Sequence, residues 1–180
     1  AIEALSALAH SLRDASSDVR LHAALALVRM GSTMTEGVVP ALIGGLSDHE
    51  SDVFEDAAHA LAEIGSPEAG AAVPALIDCL FKEVRLKHHT PHQIAIETLG
   101  LIGSPAADAA IPKLVEFLAL GGEDYDRASC DCAADALGRI GAAAVPALVE
   151  WIGNSEYRFD RAENARLQIG VPAPDILVSG

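Results

Sequence analysis

Aromatic rings are scarce in this chain: Phe, Trp and Tyr make up 4% of its 180 residues, although 51% are hydrophobic. The apolar mass is therefore Ala, Leu, Val and Ile, which suits closely packed helices rather than a core built around large rings. Basic side chains are also few, 12 against 26 carboxylates for a formal net charge of −14. A phosphate backbone is repelled over most of such a surface, which disfavours nucleic acid as a partner. The cysteines are Cys79, Cys130 and Cys132, an odd number without framework spacing. That usage fits a reducing compartment, so a cytoplasmic location is expected. No uncharged apolar run reaches the ~18 residues of a spanning helix, so no membrane partner is expected. The opening AIEALSALAHSL carries Glu3 and no basic lead-in, unlike a signal peptide, and it begins with Ala, as expected where an upstream piece has been removed.

What the chain has instead is repetition. Gly31, Gly65, Gly103, Gly141 and Gly170 each close a similar segment and lie 34, 38, 38 and 29 residues apart. The residue eight before each Gly is Ala23, Ala57, Ala95, Ala133 and Ala162, and the residue one before is Met30, Ile64, Ile102, Ile140 and Ile169. Four before stand Leu27, Leu61, Leu99 and Leu137, with Arg166 in the last copy. Positions eight, five, four and one before the Gly share one helical stripe, so each segment is predicted to be an amphipathic helix ended by a left-handed Gly cap. Between these segments lie VPALIGGL, VPALIDCL, IPKLVEFL and VPALVEWI, a second helix marked by Pro40, Pro74, Pro112 and Pro146. Ser66-Pro67 and Ser104-Pro105 read as an N-cap and first-turn Pro, which makes Pro74 and Pro112 kinks inside longer helices. The copy with the fewest departures is Ser51 to Leu80.

The pattern V-x-x-x-A-A-x-A-L-x-x-I-G followed by A-V-P-A-L resembles HEAT repeats, specifically the phycobilisome-lyase-type HEAT-like variety, from Leu5 to Gly170. Typical copies carry Asp before the Val and Arg after it; here Asp18-Val19-Arg20 keeps both, Asp52 keeps the Asp, and the other copies keep neither. The resemblance implies an all-α fold, a right-handed α-solenoid of about five helix pairs in a single domain. The expected units are residues 1–31, 32–65, 66–103, 104–141 and 142–170, with a degenerate tail at 171–180.

In HEAT-like proteins the Ala-rich helix lines the concave surface, so the resemblance implies a groove formed by residues ten, six and two before each Gly. These are Leu21, Leu25 and Arg29; Glu55, His59 and Glu63; Gln93, Glu97 and Leu101; Asp131, Asp135 and Arg139; and Asp160, Asn164 and Gln168. Asp56 and Cys132, nine before their glycines, flank the line. Glu55, Asp56, His59, Glu63, Glu97, Asp131, Asp135 and Arg139 are the candidate binding residues. An acidic groove suits a basic peptide or a cationic segment of a partner protein. The plainer reading is a solvated helix face on an acidic protein.

No catalytic residue, cofactor or metal is expected. Deoxyhypusine hydroxylase, whose architecture is similar, holds iron with His-Glu pairs at the start of such helices. The corresponding pairs here are Leu21-His22, Glu55-Asp56, Gln93-Ile94, Asp131-Cys132 and Asp160-Arg161, and the one His-Glu dipeptide, His49-Glu50, falls in a turn. His88, His89 and His92 cluster around Pro91 and are expected to form a solvated loop, since ligands so close rarely converge on one ion. Cys130 and Cys132, two apart on a helix, point in different directions. Trp151 is expected to pack. The loop with Lys82, Arg85 and Lys87 and the loop with Glu123, Asp124 and Asp126 are expected to lie side by side and attract. Leu5, Leu8 and Leu12 are spaced for burial in a poorly capped first helix, as in a fragment of a longer array or an end-to-end contact between copies. The expected function is a protein-binding scaffold or adaptor; the alternative implied by the resemblance is a bilin lyase or isomerase, or an accessory subunit of one.

Overall fold

The computed structural model describes residues 2–32, 36–47, 51–81, 91–120 and 127–153, and these are helices joined by turns. The helices are α1 (Ile2–Ser11), α2 (Ser17–Arg29), α3 (Val38–Gly45), α4 (Ser51–Ile64), α5 (Val73–Cys79), α6 (Pro91–Ile102), α7 (Ile111–Leu120), α8 (Arg127–Ile140) and α9 (Val145–Gly153). They form two layers. Along one layer α2 packs on α4, α4 on α6 and α6 on α8; across the layers α1 packs on α2, α3 on α2 and α4, α5 on α6, and α7 on α8. The chain is an all-α solenoid of stacked helix pairs. The fifth copy, Arg158 to Gly170, and the tail after it lie outside the described residues, as do His49-Glu50, His88, His89 and the charged loops at 82–90 and 121–126.

Each Ala-rich helix stops where the sequence places its glycine. Gly31, Gly65, Gly103 and Gly141 take φ of 72°, 69°, 70° and 84°, a backbone state that costs other residues a steric penalty. At the first of these, the Ser32 N–H reaches the Leu27 carbonyl (2.9 Å) and the Gly31 N–H reaches that of Val28 (2.7 Å), the two bonds of a Schellman cap.

Pro74 and Pro112 do not kink a longer α-helix. A 3-10 turn at Glu68–Ala72 leads into α5 at Val73, and another at Ala106–Ala110 leads into α7 at Ile111. Each Pro is thus the second residue of its α-helix, where the missing N–H costs nothing. Nor does Ser66 cap its own helix. Its Oγ accepts a hydrogen bond from the Ala106 N–H (3.3 Å), tying the two 3-10 turns together across neighbouring copies.

The core follows the repeated stripe and widens it. Ala23, Ala57, Ala95 and Ala133 are buried, as are Leu27, Leu61, Leu99 and Leu137, each at most 1% exposed. Truncating any of these leucines to Ala removes about 2–5 kcal/mol. Seven before the Gly, Ala24, Ala58, Ile96 and Ala134 are buried too. Two expectations change. Met30, one before its Gly, is 48% exposed because no helix covers that side of α2 among the described residues. His92 is half-buried rather than in a solvated loop, since Pro91 opens α6 and turns the ring onto Phe117 (centroids 5.5 Å apart) and the Ser129 hydroxyl (3.0 Å).

The approach of α6 to α8 at Gly100 is close. A Cβ at Gly100 would lie 2.7 Å from Ala136 Cα, whereas a Cβ at Gly44, on the exposed side of α3, meets nothing within 4 Å. Gly100→Ala is therefore expected to destabilise by about 1–3 kcal/mol by forcing two helices apart. Gly44→Ala, the same chemical change, is expected to stabilise by about 0.5–1 kcal/mol through backbone entropy. Urea midpoints of the two variants, moving in opposite directions from the parent, check both.

Candidate functional site

On α4 and α6 the helices before, behind and beneath take up three flanks, and on α8 those before and beneath take up two; a further flank of each faces outward. On α4 that flank carries Asp56, His59 and Glu63; on α6, Glu97 and Leu101; on α8, Asp131, Asp135 and Arg139, all exposed. Stacking brings equivalent positions on successive helices to about the 8–10 Å separation of packed helix axes. His59, Glu97 and Asp135 therefore form one row, and Glu63, Leu101 and Arg139 a second. Neither α4 nor α6 contains Lys or Arg, so the carboxylates there are not neutralised within their own helices.

Two of the residues expected to open the groove do not reach it. Leu21 and Leu25 are buried, at 5% and 7% exposure. The position ten before the Gly lies on the flank turned to the following helix, and on α2 that flank closes on α3. A Cβ at Gly45 would stand 2.9 Å from Leu21 Cδ1, so the glycine makes the room that Leu21 fills. Glu55 and Gln93, at the same position on α4 and α6, are half-buried for the same reason. The outward face of α2 thus carries Asp18, His22 and Arg29.

Arg29 joins this face to α4. Its Nη2 lies 3.3 Å from Asp56 Oδ2, with the side chains 70% and 50% exposed. An ion pair this open is worth at most about 1 kcal/mol, and it leaves both groups accessible to a ligand. The sequence signal for it was the opposite charge two before one Gly and nine before the next. Arg20, which typical copies set against a neighbouring Asp, instead donates through Nη1 to the carbonyls of Asp14 (2.8 Å) and Ala15 (2.9 Å), holding the α1–α2 loop. His22 Nδ1 lies 2.7 Å from the Asp18 carbonyl, which accepts its proton.

Cys130 is buried and Cys132 half-buried at the edge of the α8 face. Among the described residues no group of His, Cys, Asp and Glu is arranged to hold a metal ion. One cleft of about 320 Å³ opens between Leu12, Arg20, Leu21, Gly37 and Pro40, on the side of α2 away from the acidic rows.

A family model described as HEAT repeats matches residues 2–87. No curated protein matches the chain. Among solved structures, an engineered protein is similar at 24% identity and TM-score 0.57, over 92% of this chain and 78% of that one. A chain in the complex of CpcE and CpcF of phycocyanin lyase from Nostoc sp. PCC7120 is similar at 23% identity and TM-score 0.56, over 92% of this chain and 64% of that one. A computationally designed armadillo repeat protein for modular peptide recognition is similar at 20% identity and TM-score 0.56, over 92% of this chain and 81% of that one. At these identities the likeness is one of fold. Residues 2–87 match HEAT repeats, and the left-handed Gly caps, the buried Ala and Leu positions and the helix-pair stacking seen there continue to α9.

Proposed function

We propose that this chain is a protein-binding scaffold that holds a basic segment of a partner across the outward faces of α4, α6 and α8. The observation that carries the reading is the recurrence of exposed acidic side chains on adjacent stacked helices: Asp56 and Glu63, then Glu97, then Asp131 and Asp135. An extended peptide advances about 3.3 Å per residue, so a basic side chain at every third residue keeps step with helices about 10 Å apart. Each exposed contact contributes only about 0.2–1 kcal/mol, so affinity comes from several at once and falls with salt. The likeness in fold to a repeat protein designed for modular peptide recognition supports the reading.

A peptide with Lys at every third position, followed by fluorescence anisotropy, tests it. Reversing Glu63 and Asp135 together to Lys is expected to weaken binding about tenfold and leave the helical circular dichroism unchanged. Reversing Glu68 and Asp78, exposed on the opposite layer, changes the net charge equally and is expected to have little effect. Equal weakening by both pairs means that overall charge, not this face, attracts the peptide, and the assignment fails. Affinity capture from the native host with the same two pairs extends the comparison to the true partner.

A second reading rests on the likeness to the phycocyanin lyase complex: an enzyme of the bilin lyase or isomerase type, or an accessory subunit. A shift in the absorption spectrum on mixing the chain with bilin and apophycobiliprotein is its expected signature, and an unchanged spectrum removes it.

A further inference from the structure

We infer that the segment held across α4, α6 and α8 is not uniformly basic: past its basic residues it carries an apolar side chain for Leu101 and a carboxylate for Arg139. This selectivity rests on that face being the binding surface. Two before the Gly, the stacked helices carry Glu63, Leu101 and Arg139, all exposed. Along this row the charge passes from negative through neutral to positive, whereas the row six before the Gly keeps His59, Glu97 and Asp135. Leu101 is 42% exposed at a position that is charged on α2, α4 and α8. A lysine laid over it gains nothing in charge, while an apolar side chain removes both surfaces from water.

The packing of α6 on α8 sets Arg139 beside Leu101. A Cβ at Gly100 would lie 3.4 Å from Arg139 Cδ, so the arginine stem crosses back over α6 in the space that the glycine leaves. At the equivalent place α4 has Ala62, with a methyl group. Because its stem is seated, the planar fork of Arg139 loses little freedom when it binds a carboxylate through two parallel hydrogen bonds. Arg29, at the same position on α2, lies 3.3 Å from Asp56, whereas Arg139 makes no ion pair with any described residue. A basic group brought to α8 at this level meets repulsion. A free anion gains little either, because Glu97 and Asp135 each stand one turn away from the Leu101–Arg139 pair. A carboxylate is favoured on a segment whose own basic residues offset those charges. With three residues of extended chain to each helix spacing, the order is basic toward Asp56 and Glu63, apolar at Leu101 and acidic at Arg139.

Fluorescence anisotropy with three peptides tests this. The parent has four lysines with two residues between each. The ambipolar peptide has Leu in place of the third lysine and Glu in place of the fourth, and the control exchanges its Leu with its second lysine. Against a chain of net charge −14, losing three positive charges weakens binding if bulk attraction decides. The ambipolar peptide is instead expected to bind about tenfold tighter than the parent and the control, from one apolar contact and one ion pair. Arg139→Glu and Leu101→Glu, both at exposed positions, are each expected to shift the preference to the all-lysine parent and to leave the helical circular dichroism unchanged. An ambipolar peptide that binds no tighter than its rivals, or a preference that survives both substitutions, overturns the inference. The face itself still stands in that case if the parent peptide loses affinity on reversal of Glu63 and Asp135. If no peptide responds to that reversal, the face is not the binding surface and its selectivity falls with it.

Discussion

Gly100 on α6 lies so close to α8 that a single added methyl would fall 2.7 Å from the backbone of Ala136. The Ala-rich layer is built on approaches of this kind. Ala57, Ala58, Ala95, Ala107, Ala110 and Ala144 are fully buried, and their small volume is what lets helix stack on helix with few aromatic rings in the core. Dispersion contacts between small groups are individually weak, so the fold relies on many of them at near-crystalline density. The large apolar side chains, Leu27, Leu61, Leu99 and Leu137 among them, lie beneath and join the two layers.

This economy of volume shapes the surface. Once three flanks of α4 and α6 are committed to neighbours, the outward flank alone is free to carry chemistry, and it carries carboxylates. Their spacing along the stack is imposed by the packing of the buried alanines, not by any contact among the acidic groups. A ligand that matches the row reads the helix-to-helix distance, which is why an extended basic segment is the natural occupant. Leu101 and Arg139 interrupt the acidic row at its far side, so the face differs in charge from one helix to the next.

The first helix pair shows what the same motif does with different neighbours. Leu21 closes against α3 because Gly45 has no side chain in the way, while Val19 and Met30 stay open because no described helix lies on their side of α2. One repeat pattern thus yields a flank on α2 that is closed toward the following copy. Arg29 stands at the border of the acidic face, paired with Asp56 of the next copy.

Most of the fold was legible in the residues. The spacing of Ala and Leu marked the helices, the glycines marked their ends at positive φ, and the repeat of both marked a stack of pairs. Helical periodicity is local, so it survives reading one segment at a time. Pro74 and Pro112 were misread as kinks because nothing in the sequence shows that the preceding turn is 3-10 rather than α. His92 was assigned to a loop because its partners, Phe117 and Ser129, come from other helices. The acidic residues were visible as a pattern, but which of them reach solvent was not: Glu55 turns toward a neighbour while Glu63 does not, and Leu21 is buried where Leu101 is exposed. A helix carries its own period, whereas the burial of each flank depends on what packs against it, and that neighbour comes from another helix, as Gly45 does for Leu21.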